Sequence, residues 1–169
     1  VLTGLLALAW MATAMVLATR PAWIDARIGL DRAYRLHKWA GTGAGILVFA
    51  HWAWETLPKS LARAGVLAPP ARRGPPGEPS AWMELAGELG EWAGYLLVAL
   101  VLVALWRRVP YGVFRWVHKA FGVIFLMGAY HGVMMLERTD LLGKPVGWLA
   151  TGLALAGAGA ALLSLFGRI

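Results

Sequence analysis

The stretch YRLHKWAGTGAGILVFAHWAWE, Tyr34–Glu55, decides the fold. Its middle is apolar over a length that crosses a bilayer, yet it carries two histidines, His37 and His51, fourteen residues apart. An imidazole in hydrocarbon is costly, and where one persists it has a partner or a function. A second segment repeats the arrangement: VHKAFGVIFLMGAYHG, residues 117–132, sets His118 and His131 thirteen residues apart. These are all four histidines of the chain. At about 1.5 Å per residue, the first pair is separated by ~21 Å along a helix and the second by ~19 Å.

Working outward, the composition sets the class. Hydrophobic residues make up 59% of the 169 and charged residues only 15%, against about a quarter charged in a soluble domain. The charges sit in clusters between long apolar runs, as a chain that crosses the membrane several times requires. Five such runs are expected to span: roughly residues 2–19, 33–57, 88–106, 113–136 and 146–166. A long outer loop of about 58–82, rich in proline, separates the second from the third. The whole of 1–169 reads as one transmembrane domain, too short to hold a nucleotide-binding domain as well.

Lysine and arginine bias gives the orientation. Arg20, Arg27, Arg32, Arg35 and Lys38 crowd the first connection, and Arg107, Arg108, Arg115 and Lys119 the third. The other two connections mix signs: Lys59, Arg63, Arg72 and Arg73 against Glu78, Glu84, Glu88 and Glu91, then Arg138 and Lys144 against Glu137 and Asp140. The basic connections are therefore cytoplasmic, with Val1 outside and the Ile169 end inside. The net charge of +7 belongs to loops beside anionic lipid, and nucleic acid is not an expected partner. The chain opens at Val1 within an apolar run, with no Met and no basic leader, so one more helix is expected before it.

With both histidine segments entering from the cytoplasmic side, His37 and His118 share one level and His51 and His131 a second, deeper one. Two helices offering imidazoles at two matched depths make two bis-histidine sites, each suited to a planar macrocycle. Neutral imidazole is a strong axial ligand of haem iron, and covalent attachment needs cysteine. There is none. The expected cofactors are therefore two stacked haems b. Gly41, Gly43, Gly45, Gly122, Gly128 and Gly132 are expected to let a porphyrin approach, although small residues serve helix packing equally well.

Ideal geometry strains this picture at one point. Fourteen residues bring two side chains within ~40° of a common face, whereas thirteen leave them ~140° apart. A metal-ion transporter or proton channel is the competing class. It requires carboxylates at mid-membrane, and the apolar middles of these segments hold none.

The words LDRAYRLHKWAG and HWAWE, then VPYGVFRWVHKAFGVIFLMGAYHG and the closing SLFGRI, resemble the ferric reductase-like transmembrane domain, the membrane half of bacterial NADPH oxidase and ferric reductase homologues. The resemblance extends over essentially the whole chain. It implies an all-α integral membrane bundle of about six helices in the native protein, five of them visible here, in the bacterial inner membrane. It implies an inner haem between His37 and His118 and an outer haem between His51 and His131. Electrons would come from FAD, fed by NADPH or NADH, in a cytoplasmic flavin domain or subunit that this sequence does not contain. Arg35, Lys38, Arg115 and Lys119 would then meet haem propionates or that flavin partner, besides setting topology. One of Val123, Ile124 and Phe125 is expected between the haems.

The resemblance leaves the acceptor open. Where many eukaryotic oxidases of the family have a histidine one turn beyond the outer ligand, this sequence has Glu55. The small outer acceptor is therefore dioxygen, giving superoxide, or a cation such as ferric iron drawn to Glu55, Glu78, Glu84, Glu88 and Glu91. Trp52, Trp54, Trp82 and Trp148 are expected in the outer aromatic belt. The alternative within the superfamily is a stand-alone, quinol-linked haem b subunit that donates electrons to a periplasmic methionine-sulfoxide reductase. Outside it, the alternative is a non-redox scaffold or ion conductor.

Overall fold

A computed structural model describes residues 1–68, 79–106 and 108–167. Arg72, Arg73, Glu78, Arg107 and Ile169, given roles above, lie outside the described residues. Those described form six helices and no strand: α1 (Leu2–Ala18), α2 (Ala22–Ile28), α3 (Leu30–Arg63), α4 (Ala81–Leu105), α5 (Tyr111–Arg138) and α6 (Pro145–Phe166).

The element absent from the sequence-based expectation is α2, inside the first basic connection. Arg20, at φ 50°, and Pro21 end α1, because proline has no N–H with which to continue the ladder. The chain turns through 95°, and α2 runs for two turns with Ile24 buried against Leu17 and Ala33. Gly29, at φ 77°, lets α3 begin at once in a new direction, a conformation that costs an L side chain but not glycine.

Two other boundaries shift. The second segment, expected over 33–57, is helical from Leu30 through Pro58 to Arg63. The third begins at Ala81 instead of residue 88, because the Ser80 hydroxyl accepts from the Met83 N–H at 3.3 Å and caps the helix. The expected outer loop is correspondingly shorter.

By length and composition α4, α5 and α6 can each cross a membrane, and α1 with α2 counts as a fourth span if the bent pair is one unit. The α3 helix, about 50 Å long by its 34 residues, is long enough but less apolar. Its central turns carry the histidine, tryptophan and glycine residues of the opening stretch.

The long helices form a closed ring in the order α1, α3, α4, α5, α6, each packed on the next, with α1 also touching α5 across the middle. Small residues on α6 allow this: Gly147, Ala150, Ala154, Gly157 and Ala161 are buried and bring backbones close. Phe125, 1% exposed, is the one large side chain among the described residues to be fully buried. It fills the notch left by Gly157, where a Cβ would fall on its ring. Phe125→Ala should lower stability by about 3–5 kcal/mol, read as a lower unfolding midpoint in detergent.

Candidate functional site

The two histidine-bearing helices do not pack on each other: no α-carbon of α3 comes within 8 Å of one of α5. They face across a gap bounded by α1 on one side and α4 on the other. Within it the inner imidazoles meet, the rings of His37 and His118 lying edge to face with centres 5.7 Å apart. Two imidazoles bound to one metal from opposite sides, with nitrogens about 2 Å from it, hold their centres roughly 6 Å apart. The rings of His51, on α3, and His131, on α5, make no comparable contact.

Each imidazole needs an acceptor for the N–H on the nitrogen that does not face the gap. The structure supplies three. His37 Nδ1 lies 2.9 Å from the Ala14 carbonyl of α1, His131 Nδ1 lies 2.8 Å from the Ala86 carbonyl of α4, and His51 Nδ1 lies 3.1 Å from the Thr3 hydroxyl of α1. In each case the engaged nitrogen is Nδ1. His118 differs: its Nδ1 is buried without a partner, and its ring sits between Phe114 and Phe121, at 4.8 and 5.0 Å.

A helical carbonyl already accepts one bond from the residue four positions on, so a second donor must approach from the side. Side chains lean toward the N-terminus and cover the carbonyl one turn earlier. Gly90, one turn beyond Ala86, removes that cover, and a Cβ there would occupy the His131 ring. The His131 ring thus lies against α4, held by the Ala86 carbonyl over Gly90. His51 likewise rests on Gly4 of α1, where an added Cβ would come 3.3 Å from its ring.

Other expected residues are placed differently. Gly43 seats the Trp10 ring, Gly45 the Val101 side chain and Gly122 the Leu165 side chain, while Gly41 faces open space; the first three serve helix packing, correcting the expectation that they open a path to a porphyrin. Of the candidates between the two levels, Phe125 points to α6 and Val123 is 50% exposed. Ile124, 3% exposed, lies in a cluster with Ala93 and Leu97 of α4, Met11 of α1 and Val48 of α3. Its cluster joins α5 to α1, α3 and α4.

Arg35, Lys38, Arg115 and Lys119 are exposed at the level of His37 and His118, Lys119 lying over the Trp116 ring at 5.7 Å. At the other end Glu55 is close enough to His51 for its charge to act there. Among the described residues no three acidic or histidine side chains converge as a metal-ion site. Two axial imidazoles, by contrast, are a complete protein ligand set for a haem. Trp54, Trp82 and Trp148 are exposed, as an aromatic belt requires. Trp52 departs from that expectation: its ring packs 6.0 Å from Tyr95 and its Nε1 is buried.

Residues 3–129 match the family model described as ferric reductase like transmembrane component. The chain belongs to this family. No curated protein matches it. The family match takes in His37, His51 and His118 and stops two residues before His131. Membership makes the chain a membrane-embedded oxidoreductase component whose general role is transmembrane electron transfer.

Gly90 and Gly4, which the sequence reading passed over, are therefore as much part of the site as the histidines they seat. Gly90→Ala should displace the His131 ring and break its bond to Ala86, costing about 1–3 kcal/mol. Thermal unfolding beside Gly41→Ala, where a Cβ meets nothing within 4 Å, checks this.

Proposed function

We propose that this chain carries electrons across the bacterial inner membrane through two haems b, the inner between His37 and His118 and the outer between His51 and His131. The observation that carries the reading is the meeting of the His37 and His118 rings between two helices that have no direct backbone contact, with the second histidine of each helix a further thirteen or fourteen residues along. All five long helices then cross the bilayer, α3 included. Its histidines lie toward the gap, and lipid meets Trp39, Ile46, Phe49 and Trp54, which are exposed. The Ile169 end is cytoplasmic by the lysine and arginine bias.

His37 with His118 and His51 with His131 would each hold a haem, which would supply one-electron transfer. The chain's residues do the rest. The Nδ1 partners of His37, His51 and His131 set the tautomer and turn Nε2 into the gap. Ile124 and its neighbours keep the space between the levels apolar and free of water. The exposed Arg35, Lys38, Arg115 and Lys119 offer positive charge to haem propionates or to the flavin-bearing partner at the inner face. That partner holds FAD and draws on NADPH or NADH. At the outer face, where Glu55 stands beyond His51, the acceptor is dioxygen, giving superoxide, or ferric iron, reduced at the exposed edge of the site.

The test is the visible spectrum of the purified protein with a pyridine haemochrome count. The wild type should hold two haems per chain and show the Soret and alpha changes of bis-imidazole haem on dithionite reduction. His37→Ala and His118→Ala should each hold one. Two haems surviving in either variant would sink the ligand assignment, and a colourless wild type from haem-replete cells would leave a non-redox scaffold or ion conductor.

A further inference from the structure

Of the three Nδ1 partners, two are main-chain carbonyls, which no substitution removes, and the third is a side chain. Thr3 stands out among the threonines of this fold. Thr13 and Thr139 donate to carbonyls four residues back in their own helices, Ala9 and Met135, each at 2.8 Å, and Thr19 to the Val16 carbonyl, also at 2.8 Å. Thr3 instead reaches across to another helix and meets His51, 48 residues further along the chain. The next residue, Gly4, leaves the His51 ring room to lie against α1. Acceptor and clearance therefore occupy adjacent positions of one helix.

We propose that Thr3 is a positioning residue for the outer site: its hydroxyl oxygen accepts the Nδ1–H of His51, fixing the tautomer and turn of the ring so that Nε2 serves the cofactor. This rests on the haem reading of His51 and goes beyond it by naming the group that governs one ligand at one level only. A ligating imidazole whose other N–H is hydrogen-bonded is a stronger donor to the metal. Stronger donation favours the ferric state, and hydrogen bonding around an axial ligand is one of the levers a protein has on haem potential. Both outer imidazoles have Nδ1 acceptors, whereas the inner pair has one, His118 being unpartnered. Thr3 therefore acts on a level already distinct from the inner one.

Thr3→Val keeps the β-branched shape and removes the oxygen. The measurements are haem content after dilution in detergent and a spectroelectrochemical titration resolving both midpoints, on wild type, Thr3→Val, Thr3→Ser and His51→Ala. In Thr3→Val the outer haem should dissociate about tenfold more readily, the scale seen when such outer partners are lost. Its midpoint should rise while the inner midpoint stays, and Thr3→Ser should restore both. If Thr3→Val titrates and retains haem as the wild type does, the proposal fails. It also fails if both haems weaken together, since Thr3 then serves only helix packing. His51→Ala separates the two levels of inference: two haems retained there would overturn the ligand reading itself, whereas one haem lost with a silent Thr3→Val overturns the role of Thr3 alone.

Discussion

An imidazole can present one nitrogen to a ligand only if the proton on the other is accommodated, and inside an apolar helix bundle acceptors are scarce. Nearly every main-chain carbonyl is already engaged in its own helix. The arrangement of this bundle follows from that constraint. The α1 helix lies where the Ala14 carbonyl and the Thr3 hydroxyl meet the two histidines of α3, and α4 lies where the Ala86 carbonyl meets His131. With α1 and α4 placed on those bonds, α3 and α5 are held apart rather than packed together.

The same constraint explains where small residues are needed. Gly90 uncovers the Ala86 carbonyl and Gly4 clears the His51 ring, so glycines on the neighbouring helices shape the gap more than glycines beside the histidines do. Gly43, Gly45 and Gly122 take up Trp10, Val101 and Leu165, tightening the ring of helices around the gap. Phe125, pressed into Gly157, ties α5 to α6 and fixes the face that α5 turns inward. His118, with no acceptor and an aromatic neighbour on either side, is the exception. It is held by packing alone.

Electron transfer across a membrane asks for redox groups at two depths, an apolar and water-free path between them, and charge at the ends to steer partners. The family to which the chain belongs has that general role. The ring of helices offers imidazoles at both depths, Ile124 and its cluster between them, and arginine and lysine at the inner end. At the other end no three acidic or histidine side chains converge among the described residues, and Glu55 stands one helical turn beyond His51.

Much of this was legible in the chain itself. Helix class, membrane character and the pairing of His37 with His118 follow from apolar length and from spacing, because a helix's rise converts residue number into depth almost without regard to context. Rotation about the helix axis is not so robust. Thirteen residues predicted a poor shared face for His118 and His131, and in the structure the second ring rests on Ala86 and Gly90 of α4. Elbows such as Arg20–Pro21 and Gly29 lay hidden in a charged linker, where composition resembles a loop. Thr3, Gly4, Ala86 and Gly90 carry no sequence signal, since their importance lies in what another helix places against them. The sequence by itself determined the helical, membrane-embedded class and the spacing of the four histidines along two of its helices. The tertiary structure alone decided what each imidazole's second nitrogen meets, because that depends on contacts between residues up to 48 positions apart.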